Sequence, residues 1–231
     1  MEDVRKIADQ SAFVLHSYPW SETSLIVDLF TRDYGRMRTV AKGAQRPSSS
    51  FRGLLNPFSP LSVSLSGKGE VKTLTAATWL GFIPLPSKSL MSAFYLNELL
   101  IKLLAPQDPV PNLFARYFDT LQELSKSEFH GYILRYFEFD VLEAIGYGVG
   151  TSGFSSPWYG FYSGDLIAYE RREDVRGTAV SGKVLQELAQ KDLSSPEAER
   201  QARFFLRSMI SYYLDGVTLN TPRVAVDIRG L

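Results

Sequence analysis

The feature that most constrains the fold is a change of hydrophobic period shortly after residue 80. Before it, "AFVLHSY", "SLIVDLFT", "GRMRTVAKG", "LSVSLSG" and "GKGEVKTLTAATW" are short β-rich runs divided by turn residues. In "GRMRTVAKG" a period of two sets Arg36 and Arg38 on one face and Met37 on the other. In "LSVSLSG" the serines alternate in the same way with Val63 and Leu65. Five short strands over residues 1–82 predict a small closed barrel, and the oligonucleotide-binding (OB) fold has that strand count. After "GFIPLPS" the apolar residues fall at helical intervals, beginning with Leu90, Phe94, Leu96, Leu100 and Leu103. The expected class is α+β: an N-terminal five-stranded OB-fold β-barrel, then a mainly helical C-terminal domain over residues 83–231. A small irregular or β insertion is expected near 147–181.

Capping residues divide the helical part. Pro106 and Pro109 stop the first helix, and Asn112 caps a second. Ser127 caps a third, "EFHGYILRYFEFDVLEAIG", which Gly146 ends. Ser195 and Pro196 supply an N-cap and an N1 proline for a last helix reaching about Leu214.

Catalytic chemistry finds no constellation, and no catalytic residue is assigned. The chain has no cysteine, which excludes disulfides, thiolate zinc sites, iron–sulfur clusters and cysteine nucleophiles together. His16 and His130 are the only histidines, without metal-ligand spacing or a G-x-S-x-G elbow, and both read as structural. "GVGTSG" at 148–153 matches a dinucleotide-binding pattern but follows a helix instead of a strand, so it reads as a helix end and turn. The carboxylate pairs Glu22/Asp28 and Glu138/Asp140 have no special setting. No cofactor is implied. The N-terminus lacks a signal-peptide core and no run approaches a membrane span, so a soluble cytoplasmic protein without membrane contact is expected.

The positive charge is uneven. Residues 1–80 hold ten basic and seven acidic residues, residues 81–150 five and eight, and the remainder ten of each. Most of the excess sits in "TRDYGRMRTVAKGAQRPSSSFRG", with Arg32, Arg36, Arg38, Lys42, Arg46 and Arg52 against Asp33. Lys68 and Lys72 on a neighbouring hairpin extend the patch. Basic side chains, serine hydroxyls and backbone amides together suit phosphate contacts, and Tyr18, Trp20, Tyr34 and Phe51 are the nearby candidates for stacking on bases. From the residues alone, a nucleic-acid surface and a solvated loop both stay open. Arg200, Arg203 and Arg207 share a helix face with Glu197 and Glu199, which reads as an ion-pair-laced solvent face, with a second nucleic-acid patch as the alternative.

The motifs "VLHSYPWSETS", "LFT", "VAKGA" with its following serines, and the proline-rich "LNPFSPL" also carry a family resemblance. So do "GEVKTL", "YLNELL" and "RYFE" followed by "IGYG". Their order resembles the RecO family of bacterial recombination mediators to about residue 150, with weaker similarity around "SGKVLQELA". The resemblance implies an OB-fold followed by a helical domain. It implies binding of single- and double-stranded DNA, and annealing of strands coated with single-stranded-DNA-binding protein. It further implies help to RecR in loading RecA. Many members carry a four-cysteine zinc site just after "GYG". This chain reads "GYGVGTSGFSSPWYGFYSG" there, so it resembles the zinc-free members and no metal is expected. Packing by Trp158, Tyr159 and Phe161 is expected to stand in for the metal.

The eight basic residues above are the expected DNA contacts. If five single-strand phosphates are neutralised, log K falls with log salt at a slope of roughly −3.5. The resemblance also implies a second site, for the acidic C-terminal tail of the single-stranded-DNA-binding protein, with Arg135 as the cation and Ile145 as a pocket wall. The alternative, that Arg135 pairs with Glu138 or Glu128 and Ile145 is core, stays open. A protein-interaction adaptor with a structural barrel is the second reading of function.

Overall fold

The structure is a computed structural model that describes residues 5–126 and 131–222. Ser127, Glu128 and His130 lie outside the described residues. The described chain forms two compact units, residues 5–126 and 131–222.

The first unit is built on a closed barrel. Its strands are β1 (Lys6–Pro19), β2 (Leu25–Thr31), β3 (Gly35–Ala41), β4 (Pro60–Ser66) and β5 (Val71–Trp79), in the order β1-β2-β3-β5-β4 with β1 paired back to β4. Closure rests on β1, whose 14 residues pair with β2 and β4 and shift register twice, at Ile7/Gln10 and Val14/His16. Such bulges bend a strand enough to serve two neighbours. The β3–β5 pairing is parallel and the others are antiparallel. Alternation sends Val14, Val27, Leu29, Met37, Val63 and Leu65 inward. The segment between β3 and β4 closes one end of the barrel by inserting Ala44, Phe51 and Leu55 into the same core.

Two helices, α1 (Ser87–Leu103) and α2 (Pro111–Ser125), complete this unit. The change of period near residue 83 therefore divides strand from helix, while the compact unit runs on through α2. The reason is the outer face of β1 and β2, where Phe13 and Phe30 pack their rings on Phe114 and Tyr117 of α2. Asn97 of α1 donates to the Leu15 carbonyl at 2.7 Å and accepts from the Tyr117 hydroxyl at 2.5 Å. Burial pushes the Tyr117 hydroxyl pKa far up, which keeps it a donor. Pro111, not Asn112, begins α2, with Val110 as an N-cap that makes no side-chain bond.

The second unit packs α3 (Tyr132–Ala144), α4 (Gly182–Gln190) and α5 (Pro196–Tyr213) with a sheet of β6 (Trp158–Tyr162), β7 (Asp165–Tyr169) and β8 (Thr178–Ser181). The sheet order is β7-β6-β8, all antiparallel. Phe137, Val141, Leu142, Val180, Leu185, Phe205 and Leu206 are buried. Ser195 caps α5 as expected, accepting from the Ala198 amide at 3.1 Å. Tyr159 and Phe161 are buried, and Trp158 lies under the Arg172 guanidinium. No helix among the described residues is long and apolar enough to cross a membrane.

Candidate nucleic-acid interface

Strand register sorts the basic residues. On the outside of the barrel, Phe13, Phe30 and Arg36 form one row across β1, β2 and β3. His16, Asp28, Arg38 and Val71 form the next, and Tyr18, Ile26, Val40 and Thr73 the third. Arg36 and Arg38 do share a face, but the first row lies under the helices. The Arg36 side chain is 13 % exposed, and its Nε donates to the Leu104 carbonyl at the end of α1. Burial lowers its pKa, partly offset by Asp28. Arg36 is thus a structural residue that ties the barrel to α1.

Asp28, read from the sequence as having no special setting, is buried between the two arginines. Arg38 Nε donates to Asp28 Oδ1 at 2.9 Å, and Arg36 Nη1 lies 4.0 Å from the same oxygen. The hydrogen bond to Asp28 raises the Arg38 pKa. One carboxylate therefore answers two guanidiniums, and Arg38 keeps an exposed edge with 45 % of its side chain in solvent. The signal was present in "SLIVDLF", where Asp28 takes the parity that faces Arg38 across an antiparallel pair.

Lys72 is inside. Its pairing with Thr39 places it on the inward parity of β5, and its Nζ donates to the Gly67 carbonyl at 3.2 Å. The sequence counted it with Lys68 because a hairpin arm has no visible parity until its partner is known. Lys68 is exposed on the β4–β5 turn, and Glu70 of that turn accepts through its carbonyl from Gln107. Gln107 also bonds the Arg36 carbonyl, so Lys68 belongs to the Arg36 end of β3. Arg32 is exposed but held by its neighbour Asp33, Nε to Oδ1 at 3.0 Å.

Lys42, Arg46 and Arg52 remain. All three are exposed on the segment that leaves β3 at its other end, and none makes an ion pair among the described residues. The Arg52 guanidinium donates to the Pro47 carbonyl at 3.3 Å. The segment is pinned, contrary to its flexible composition. Gln45 N donates to the Thr23 carbonyl at 2.9 Å, and its side-chain amide donates to the Ser24 carbonyl at 3.0 Å. Successive turns bond Ser49 to Arg46, Arg52 to Ser49 and Leu54 to Phe51. These bonds fuse it with the β1–β2 loop, where Trp20 is 64 % exposed. Gln45 and Ser24 went unnoticed in the sequence because polar loop residues carry no period. Of the expected stacking platforms, Trp20 is open and Tyr18 half-buried, while Phe51 is buried in the barrel end and Tyr34 packs against the core.

The second expected site is occupied by its own chain. Arg135 is 8 % exposed, with Nε and Nη2 on the two oxygens of Glu138 at 2.8 and 2.5 Å and Nη1 on Glu199 at 3.2 Å. Ile145 is half-buried at the C-cap of α3. Glu199 bonds Arg135, and no ion pair between Glu199 and Arg203 forms among the described residues. Arg200 pairs with Glu197, and Arg203 and Arg207 stay exposed. Among the described residues no group of three or more metal-ligating side chains converges, and a thiolate zinc site does not fit a chain without cysteine.

Comparison with known proteins adds an independent line. The family model described as "Recombination protein O N terminal" matches residues 5–82, and "Recombination protein O C terminal" matches residues 87–222. A protein of Azoarcus named DNA repair protein RecO is 42 % identical over 239 residues, covering 98 % of each chain. Those of Aromatoleum aromaticum and Ralstonia nicotianae, named likewise, are 41 % identical over 242 residues and 40 % identical over 235 residues. They cover 100 % and 98 % of this chain, and 100 % and 86 % of their own lengths. With both family models matched in order on a barrel-plus-helices fold, the chain belongs to the recombination protein O (RecO) family.

Proposed function

We propose that this chain acts in DNA repair and recombination by binding DNA through the segment between β3 and β4. The observation that carries the reading is the trio Lys42, Arg46 and Arg52, exposed, without acidic partners among the described residues, and fixed beside the Trp20 loop. Cations of this kind neutralise phosphates without reading sequence, and an exposed indole gives any base a stacking surface. Three neutralised single-strand phosphates correspond to a salt slope of roughly −2.1, shallower than the sequence alone suggests. The test is oligonucleotide binding across a salt series with the triple reversal Lys42→Glu, Arg46→Glu and Arg52→Glu. The expected result is loss of binding with the fold intact by circular dichroism. Retained affinity, or a slope near zero in the unaltered protein, would sink the proposal.

The finer activity we propose is annealing of complementary strands coated with single-stranded-DNA-binding protein, followed by help to RecR in loading RecA. Family membership supports it. For the acidic tail of the coating protein, Arg135 remains the proposed cation and Ile145 the pocket wall, with the tail carboxylates exchanging for Glu199, which Arg135 holds at a longer distance than Glu138. Glu199→Gln should then tighten a tail peptide, whereas weakened or unchanged binding would count against Arg135. The adaptor reading draws on Trp79, Leu80 and Phe82, exposed apolar residues at the end of β5 and just beyond it. An annealing assay on coated strands separates the two, because an adaptor leaves annealing at its spontaneous rate.

A further inference from the structure

We propose that the second unit holds a receptor for a cationic side chain, an arginine of a partner polypeptide, in the cavity between the end of α5 and the β6–β7 turn. The cavity is about 640 Å³ and is lined by Tyr147, Phe161, Asp165, Tyr212 and Tyr213, with no lysine or arginine in its wall.

Its walls are aromatic, one pair stacked and others nearly perpendicular. Tyr147 and Tyr213 stack with centroids 4.0 Å apart and 9° between planes. Tyr212 stands at 84° to Tyr213, and Phe161 at 84° to Tyr212. The backbone is shaped for this. Gly146 at φ +81 turns the chain out of α3 toward Tyr147, whose amide bonds the Leu142 carbonyl. Gly164 sits at φ +93, and a Cβ there would meet the Tyr212 hydroxyl at 3.0 Å.

The polar atoms are of one kind. The Tyr212 hydroxyl donates to the Ser163 carbonyl at 3.1 Å, and the Tyr213 hydroxyl donates to the Gly164 carbonyl at 3.4 Å. With their protons committed, both oxygens face a ligand as acceptors. Burial, reinforced by Tyr212, Tyr147 and Asp165, pushes the Tyr213 hydroxyl up, so it stays protonated. Asp165 adds a carboxylate that makes no ion pair among the described residues. Negative ring faces, acceptor oxygens and an unpaired carboxylate repel phosphate and acidic peptides and favour a cation. A flat tyrosine pair matches the planar guanidinium better than the compact ammonium of lysine.

The test titrates the full chain with a labelled short peptide carrying one arginine among glycines and serines, and with the same peptide carrying uncharged citrulline. The arginine peptide should bind saturably. Tyr147→Ala and Asp165→Asn, both at exposed positions, should each weaken it about three- to tenfold, as should citrulline. Unfolding midpoints check that the variants remain folded. The proposal is overturned if the arginine peptide fails to bind, if citrulline binds equally, or if both substitutions leave affinity unchanged. Ultraviolet cross-linking of Tyr147 to single-stranded DNA would overturn it in favour of base stacking.

Discussion

Asp28 has 3 % of its side chain exposed and lies against both Arg36 and Arg38, so it sets how much positive charge the barrel face shows. Phosphate must compete with it for Arg38. Replacing Asp28 with Asn keeps the shape and removes the charge. Arg38 then joins Lys42, Arg46 and Arg52 as a cation without an acidic partner among the described residues, and the salt slope for single-stranded DNA should steepen by about 0.7, to roughly −2.8. Two guanidiniums left without a counter-charge should cost about 1–3 kcal/mol of stability, a range already lowered for the solvent on Arg38. An unchanged slope would mean that Arg38 does not reach the nucleic acid. Arg135 makes the opposite case, because its exchange for Ala removes the guanidinium that bonds both oxygens of the buried Glu138. That change should destabilise the second unit by about 3–5 kcal/mol in denaturant unfolding.

Among the elements, the β3–β4 segment shows how a loop becomes a binding surface. Phe51 anchors it in the barrel end, and its removal should have two separable effects. Phe51→Ala costs about 3 kcal/mol as a cavity. It also frees the backbone that carries Lys42, Arg46 and Arg52, so ordering must be supplied on binding and DNA affinity should fall. The charges are untouched, so the salt slope should stay near its original value. A slope that fell with the affinity would show that the variant had lost contacts and not only order. Strand existence, the inward set and the capping of α5 were all legible, because period and cap chemistry are local. Parity relative to a distant partner was not, which is why Lys72 read as surface. Nor was cover by α1 and α2 over Arg36, since no local pattern in "GRMRTVAKG" reports that Leu104 will accept its Nε. The bonds from Gln45 to Thr23 and Ser24 join two loops more than twenty residues apart in sequence and leave no trace in either.

Across the whole molecule, the two units have separate cores, yet both contain tyrosines whose hydroxyls are pushed up chiefly by burial: Tyr117 in the first, Tyr136 and Tyr213 in the second. In the unfolded chain each returns to about 10.0. Between that value and the folded one, the native state holds a proton that the unfolded state has lost. Stability is therefore complete below about pH 10 and falls as pH rises above it. A group that stays protonated when folded loses about 1.4 kcal/mol of its contribution by pH 11. Tyr117, fully buried, should approach that figure, while the partly exposed Tyr136 and Tyr213 act in the same direction with smaller effect. Tyr117→Phe isolates the buried group. It takes the donor from Asn97 Oδ1 and should lower stability by about 1–3 kcal/mol at pH 8. With nothing left to ionise at that position, the variant should lose less than the parent between pH 8 and pH 11. Denaturant unfolding at the two pH values measures both quantities. Equal losses in parent and variant would show that the alkaline response arises outside the Asn97–Tyr117 contact.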